Sequence, residues 1–277
     1  MLTFIPTPIG NPQDITIRAI KNFEVAALFL CEDTRQTKHL LHILSERFEM
    51  KYPNDAQFLS FNEHNGVARL EEIGGRLVKE AVIYVSDAGM PIISDPGQIL
   101  VEYCQKHSIV YDILPGATAF ATAFAASGFK GSHFGFYAFL PHKGSDRSKA
   151  LGHVLNTSSH AILYESPHRL LKLLEELNGI DSARELFLAK ELTKKFQTYY
   201  RGSVQNLLEQ LKEIQIKGEW VIIIHAKMQN EATLSYNDIL AMELAPKIKA
   251  KLLSQVSDKS VKECYNLLID TQNTAKF

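Results

Sequence analysis

Along the first half of the chain, apolar runs of strand length alternate with helix-length amphipathic stretches, and this alternation restricts the fold more than any other feature. Residues 2–6, 26–31, 57–61, 81–86 and 109–114 read as five strands. The run 81–86 (AVIYVS) is the clearest, because β-branched and aromatic side chains suit a pleated, buried surface. Between these runs, residues 15–23, 34–44, 67–79, 97–107 and 117–127 carry helical spacing. Strand and helix in alternation predict an α/β layer with a mostly parallel sheet.

The pattern restarts in the second half. Residues 133–139, 161–165, 185–191, 198–201 and 220–225 read as strands, and 145–155, 167–177 and 204–214 as helices. Two extended runs lie close together around Tyr200 and Trp220, so this half should form a mixed sheet. Residues 128–132, with two glycines and a lysine, are the natural hinge. Residues 227–232 are polar and read as a linker, after which no strand pattern remains. Short amphipathic helices fit 236–244, 245–254 and 260–270, with turn and cap residues at 257–260. The expected organisation is an α/β lobe over 1–128, a second α/β lobe over 129–228, and a helical appendage over 234–277. The appendage is too small to rely on a core of its own.

The 277 residues are 45% hydrophobic, enough for a sizeable core, and carry a formal net charge of -1. A near-neutral balance neither demands nor excludes nucleic acid, since a local basic patch can hide within it. The three cysteines, Cys31, Cys104 and Cys264, are far apart and form no CxxC pair. That argues against a disulfide framework or a zinc site and for reduced, buried thiols. No apolar run approaches the roughly 20 residues of a membrane helix. The first residues lack the charged and long apolar regions of a signal peptide, so a cytoplasmic location is expected.

In an open parallel sheet, ligands bind beyond the carboxyl ends of the strands. The segments following the five strands are Thr7–Pro12, Cys31–Arg35, Asn62–Asn65, Ser86–Gly97 and Pro115–Thr118, all dense in Gly, Pro, Asp and small polar residues. Any one of them alone is ordinary turn chemistry. Five on one sheet edge point to a ligand cleft. No G-x-G-x-x-G follows the first strand and no P-loop occurs, which disfavours dinucleotides and polyphosphates. No paired-histidine spacing suggests a metal. The loops are acidic, with Glu32, Asp33, Asp87 and Asp95. Carboxylates accept from hydroxyls and oppose a cation, so a nucleoside carrying a sulfonium fits.

The runs TPIGN (7–11), CEDTR (31–35), EHN (63–65), SDAGMPIISDPG (86–97), LPGATA (114–119), YESPHR (164–169), KELTK (190–194) and RG (201–202) follow one another in order. This series resembles the tetrapyrrole-methylase superfamily, and within it the branch that methylates ribosomal RNA. The resemblance runs over nearly the whole chain, including the helical tail, and departs from the usual pattern at Pro12, Met90, Ala117, Ala138 and His142. It implies a two-lobed tetrapyrrole-methylase-like α/β fold, a homodimer, and S-adenosylmethionine in the cleft between the lobes. It also implies methylation of the 2′-oxygen of a cytidine in the decoding region of 16S rRNA in the small ribosomal subunit.

On that resemblance the cofactor contacts are expected at Pro8, Gly10, Asp87, Ala88, Gly89, Ser94, Asp95, Pro115, Gly116 and Ala117. Glu165, Ser166, Pro167 and Glu191 are expected to close the cleft from the second lobe. Arg35, Lys143, Arg147, Lys149, His168, Arg169 and Lys194 are the candidates for contact with RNA phosphates. Glu63, His64, Asp87, Glu165 and Lys190 are the candidates for a base, and the residues do not choose among them. Two other readings stay open: a methyltransferase of the same superfamily acting on a small molecule such as a corrinoid precursor, and a non-catalytic ribosome-assembly factor on the same scaffold.

Overall fold

The structure, a computed structural model, describes residues 1–62, 65–93, 97–226, 235–257 and 259–274. The chain forms two compact units, Met1–Lys227 and Met228–Phe277. In the first, strands β1 (Leu2–Ile5), β2 (Leu28–Cys31), β3 (Gln57–Ser60), β4 (Val82–Val85) and β5 (Tyr111–Ile113) pair in the order β3-β2-β4-β1-β5. Every pairing is parallel. All five strands therefore deliver their following loops to one edge, as the ligand-cleft argument requires.

Helices α1 (Ile17–Phe23), α2 (Thr34–Phe48), α3 (Gly66–Ile73), α4 (Arg76–Lys79) and α5 (Gln98–Lys106) lie on the two faces of this sheet. On one face Phe23, Leu41 and Leu44 pack on Phe29, Ile83 and Val85. On the other, Leu70, Ile73, Leu77 and Leu100 pack on Phe4, Leu30 and Tyr84. Burial on both faces is why these strands read as unbroken apolar runs. Each such buried Leu or Phe contributes roughly 1.5–3 kcal/mol. Cys31 and Cys104 lie in these cores as free thiols. Burial pushes the Cys31 thiol up to about 12.

The single helix expected over 67–79 is instead two, α3 and α4, separated at Gly74 and Gly75. A Cβ at Gly74 would collide with the Tyr103 hydroxyl on α5. The glycine lets α5 approach, and a glycine pair is a poor helix interior.

Helix α6 (Ala119–Ser127) leads into the second sheet, formed by β6 (Phe134–Phe139), β7 (His160–Glu165), β8 (Glu185–Lys190), β9 (Thr198–Ser203) and β10 (Trp220–Ile224). Its order is β6-β7-β10-β8-β9, with β6 and β7 parallel and the other pairs antiparallel, the mixed sheet that was expected. Helices α7 (Gly144–Asn156), α8 (Pro167–Asp181) and α9 (Val204–Lys212) cover one face, where Trp220, Ile222 and Ile224 are buried. Val221 and Ile223 face the other way, against Ala123 of α6 and Ile9 of the first loop. α6, which the sequence reading counts with the first lobe, thus packs on the second lobe's sheet.

In the second unit α10 (Tyr236–Ala241), α11 (Pro246–Leu253) and α12 (Val261–Thr274) gather Ile239, Ala250, Leu253 and Cys264 into a small core. Ser235 and Asp238 close a capping box at the start of α10. The linker expected at 227–232 falls outside the described residues.

Candidate active site

The loops after β1 and β4 are stitched together at the sheet edge. Thr7 and Gly89 exchange backbone hydrogen bonds of 3.0 and 3.1 Å, and the Thr7 hydroxyl donates to Ser86 O at 3.2 Å. Gly89 has φ +85, a conformation natural only to glycine. Gly116, after β5, is pressed against Pro6, so that a Cβ there would lie 2.5 Å from the proline Cβ. Asp33 caps α2 by accepting from Arg35 N at 2.8 Å, and the Arg35 guanidinium beside it holds its carboxyl at about 2. The Asp33 N–H donates to Asp87 Oδ1 at 3.1 Å. Partial burial nevertheless holds the Asp87 carboxyl above the usual carboxylate range, and the Asp33 charge adds to it.

The second lobe brings side chains. Glu165 at the end of β7 is 2% exposed and sits among two arginines. Arg169 Nη2 lies 2.6 Å from Glu165 Oε1, and Arg147 Nη1 lies 3.8 Å from Oε2. Arg147 also donates from Nε to both oxygens of Glu176, at 3.0 and 2.9 Å. The two guanidiniums reach further, to Leu140 O and Pro141 O, and so hold the loop after β6. Glu165 Oε2 itself is buried without a hydrogen-bond partner.

The loop after β8 carries Glu191 and Thr193 at φ 51 and 62. Glu191 Oε1 accepts from Lys194 Nζ at 3.0 Å and from Glu219 N at 2.9 Å. Burial pushes the Glu191 carboxyl up, but those two donors and the charges of Lys194 and Lys190 outweigh it and hold it below its ordinary value. Asn11 N donates to Thr193 Oγ1 at 3.0 Å, and a Cβ at Gly10 would collide with the Lys194 side chain and Leu192 O. The first loop therefore rests directly on the second lobe.

Between these walls lies a cleft of about 400 Å³, mostly apolar. From the expected cofactor set it is lined by Ala88, Gly89, Glu165, Ser166 and Pro167. Pro8, Gly10, Asp87, Pro115, Gly116, Ala117 and Glu191 stand behind or beside it, where their neighbours Ile9, Met90, Thr118 and Leu192 take the lining positions. Ser94 and Asp95, and Glu63 and His64, lie outside the described residues. Lys190 does not line the cleft; its ammonium sits 5.7 Å over the Trp220 ring. Sequence reasoning missed Tyr164, Ala189 and Trp220 in the lining. Their signal was position: Tyr164 and Ala189 lie at the carboxyl ends of β7 and β8, and Trp220 starts β10, which runs antiparallel between those strands.

One expected RNA contact is corrected. Arg147 is 3% exposed and spent on Glu176, Glu165 and Pro141 O, so it offers no cation to solvent. Its position on α7, in step with Leu151, Val154 and Leu155, places it on the buried stripe. Arg169 and Lys194 are also engaged, with Glu165 and with Glu191 and Glu219. Arg35, Lys143, Lys149 and His168 are exposed, Arg35 while paired with Asp33.

Residues 1–208 match the family model of the tetrapyrrole (corrin/porphyrin) methylases. This chain belongs to that family. It is similar to the ribosomal RNA small subunit methyltransferase I of Helicobacter pylori strain 26695, at 43% identity over 96% of each chain. The enzyme of the same name from Campylobacter fetus is 40% identical over 97% of this chain and 100% of its own. Among solved structures, diphthine synthase shares the fold with a TM-score of 0.60 at 14% identity, covering 94% of this chain and 97% of that one. Uroporphyrin-III C-methyltransferase of Thermus thermophilus, complexed with S-adenyl homocysteine, does so with a TM-score of 0.54 at 15% identity, covering 81% and 96%. The expected two-lobed α/β fold of this family is thus observed.

Proposed function

We propose that this chain methylates 16S ribosomal RNA of the small subunit with S-adenosylmethionine, at the 2′-oxygen of a cytidine ribose in the decoding region. The observation that carries the reading is the match, over nearly the full length including the helical tail, to methyltransferases of small-subunit RNA. Full-length likeness of this kind favours RNA over a tetrapyrrole substrate, since the neighbours named for tetrapyrroles share the fold at low identity.

The cleft suits the cofactor. It is apolar, of ordinary ligand-pocket size, and ringed by few polar groups. Its lining includes Glu165, whose buried Oε2 has no hydrogen-bond partner and faces the Arg147 guanidinium at 3.8 Å. Gly89, at φ +85, adds no side chain to the opposite wall, and Gly116 lets the loop behind it pack against Pro6. Ala88, Gly89, Glu165 and Ser166 would hold S-adenosylmethionine, which supplies a methyl group on a positively charged sulfur. The protein's part is alignment of the ribose oxygen for in-line attack, and such positioning alone can supply roughly 7–11 kcal/mol. Among the described residues no group of three or more His, Cys, Asp or Glu is placed to hold a metal, and methyl transfer needs none.

We further propose a cytoplasmic homodimer. No helix of the described residues is long and apolar enough to cross a membrane. α6 is apolar at nearly every position, yet Ala121, Ala125 and Ala126 are exposed, and so is Phe134, whose ring contacts Phe124. A second copy would cover that face. The test of the function is transfer of labelled methyl from the cofactor to unmethylated 30S subunits, with nuclease mapping of the product. Label on one cytidine ribose is the expected result. Cofactor binding without transfer to 30S subunits would overturn the reading.

A further inference from the structure

We infer that Phe139 is the platform on which the base of the target nucleotide stacks. This rests on the RNA substrate proposed above and adds the residue that receives it.

Phe139 lines the cleft and is 54% exposed at the end of β6, an edge strand of the second sheet. It ends a wall of aromatic rings. Phe120 stacks on Phe136 at 4.6 Å, Phe136 meets Tyr164 at 4.9 Å, and Tyr164 meets Phe139 edge-on at 5.7 Å. The Tyr164 hydroxyl accepts from Phe120 N at 3.2 Å and fixes the wall.

The backbone is bent to put Phe139 there. On β6, Phe136 lies opposite Ile162 of β7, but Ala138 lies opposite Leu163 and Phe139 opposite Tyr164. A β-bulge falls between Phe136 and Ala138, and Ala138 has φ 49, a left-handed conformation disfavoured for alanine. Ile162 and Tyr164 share the face turned towards α6, so Phe136 and Phe139 share it too, although they are three residues apart. In a regular strand Phe139 would face the opposite way, with Tyr137, into the core under α7 and α8. Strain is thus spent on exposing a large apolar ring at the rim of the cleft. The segment is then held rigid: Leu140 is buried, and Leu140 O and Pro141 O are gripped by Arg169 and Arg147. The next two residues, His142 and Lys143, are exposed, and Lys143 is a cation suited to a phosphate.

A rigid, solvent-facing ring beside cations is what an unstacked nucleotide needs. A ribose 2′-oxygen inside folded RNA reaches a cleft only if its nucleotide is splayed out, and the base then requires a new stacking partner. Every base has a π-face, so such a platform tolerates any base and gives affinity rather than sequence choice.

The experiment compares wild type, Phe139→Leu, Phe139→Tyr and Phe139→Trp on unmethylated 30S subunits, with cofactor affinity by calorimetry, mass by light scattering and melting temperature alongside. The expected result is a KM for 30S subunits raised about tenfold or more in the leucine variant, in line with the usual worth of a base–aromatic stack. Tyrosine and tryptophan should restore it, with cofactor Kd, mass and melting temperature unchanged throughout. Equal KM values for leucine and wild type would overturn the inference. So would a loss of cofactor affinity, which would put Phe139 in the cofactor's part of the cleft, or a change of mass, which would put it in a self-association contact. Wild type that binds cofactor but does not methylate 30S subunits would instead overturn the proposed substrate, and this inference with it.

Discussion

The first lobe meets the cleft with loop residues that are small or aliphatic, Ala88, Gly89 and Thr118 with Ile9, Met90 and Ile93, whereas the second meets it with the aromatic and charged side chains of Tyr164, Glu165 and Trp220. Their supports differ in the same sense. The first wall is held by main-chain bonds between loops, such as Thr7 to Gly89, on a parallel sheet. The second is held by two arginines and two carboxylates, with Arg147 and Glu165 buried and Arg169 and Glu176 half-buried, and this set also fastens the loop after β6. A wall held by main-chain bonds is least tolerant at its glycines, Gly89 and Gly116, where an added side chain meets strain or a neighbour. A wall of paired charges fixes orientation, and removing one member leaves another uncompensated.

That contrast is broken most severely at Arg147. Arg147→Ala strips buried Glu165 and half-buried Glu176 of a partner, and a loss of about 3–5 kcal/mol in chemical denaturation is expected. A loss below about 1 kcal/mol, the range of exposed pairs, would show the network to be solvated. In the first wall, Gly116→Ala forces a methyl group against Pro6, and a loss of about 1–3 kcal/mol is expected, together with weakened cofactor binding. Unchanged stability would mean that the loop yields and the wall is softer than its packing implies.

Asp87 sharpens the comparison because fold and ligand pull in opposite directions there. A carboxyl held above its unfolded value favours the folded state at low pH, and that contribution is lost as pH rises through the folded value. Ionised Asp87 therefore opposes folding at neutral pH. Asp87→Asn should raise the melting temperature at pH 7 and change it less near pH 3. It should lower cofactor affinity at least tenfold, about 1.4 kcal/mol, by calorimetry. A lower melting temperature at pH 7 would reverse the assignment.

Smaller effects belong to the rim of the second wall. Lys143 and Lys149 are exposed, and changing both to Ala should flatten the salt dependence of 30S binding by about 1.4–1.8 units, two phosphate contacts' worth. Parallel salt titrations would make them a solvated face. The smallest effect is at Ala138, where glycine relieves the left-handed backbone and should raise stability by up to about 1 kcal/mol. Ala150→Gly, within α7, should instead lower it by about 1 kcal/mol. Equal signs for the two would contradict the strain assigned to the bulge.

Much of this molecule was legible in its residues. The apolar runs mark the ten strands found among the described residues, and the parallel and mixed sheets followed from the spacing between them. The loops after β1, β4 and β5 were singled out by their glycines and prolines, and Ile9, Gly89, Met90 and Thr118 in those loops do line the cleft. Arg147 was misread because its neighbours Lys143 and Lys149 suggested a patch, while its helical phase with Leu151 pointed inwards. The break at Gly74 was missed because its cause, Tyr103 of α5, is distant in sequence.

Local physics, the period of apolar residues and the conformational freedom of glycine, is written into neighbouring residues, and so the sequence by itself determined the elements, their alternation and the edge where ligands gather. Which loop rests on which, which arginine pairs with Glu165, and which way Phe139 faces were decided only by the tertiary structure. Those outcomes depend on groups far apart in the chain, Gly10 against Lys194 or Arg147 against Glu176, and on a one-residue bulge that no apolar period encodes.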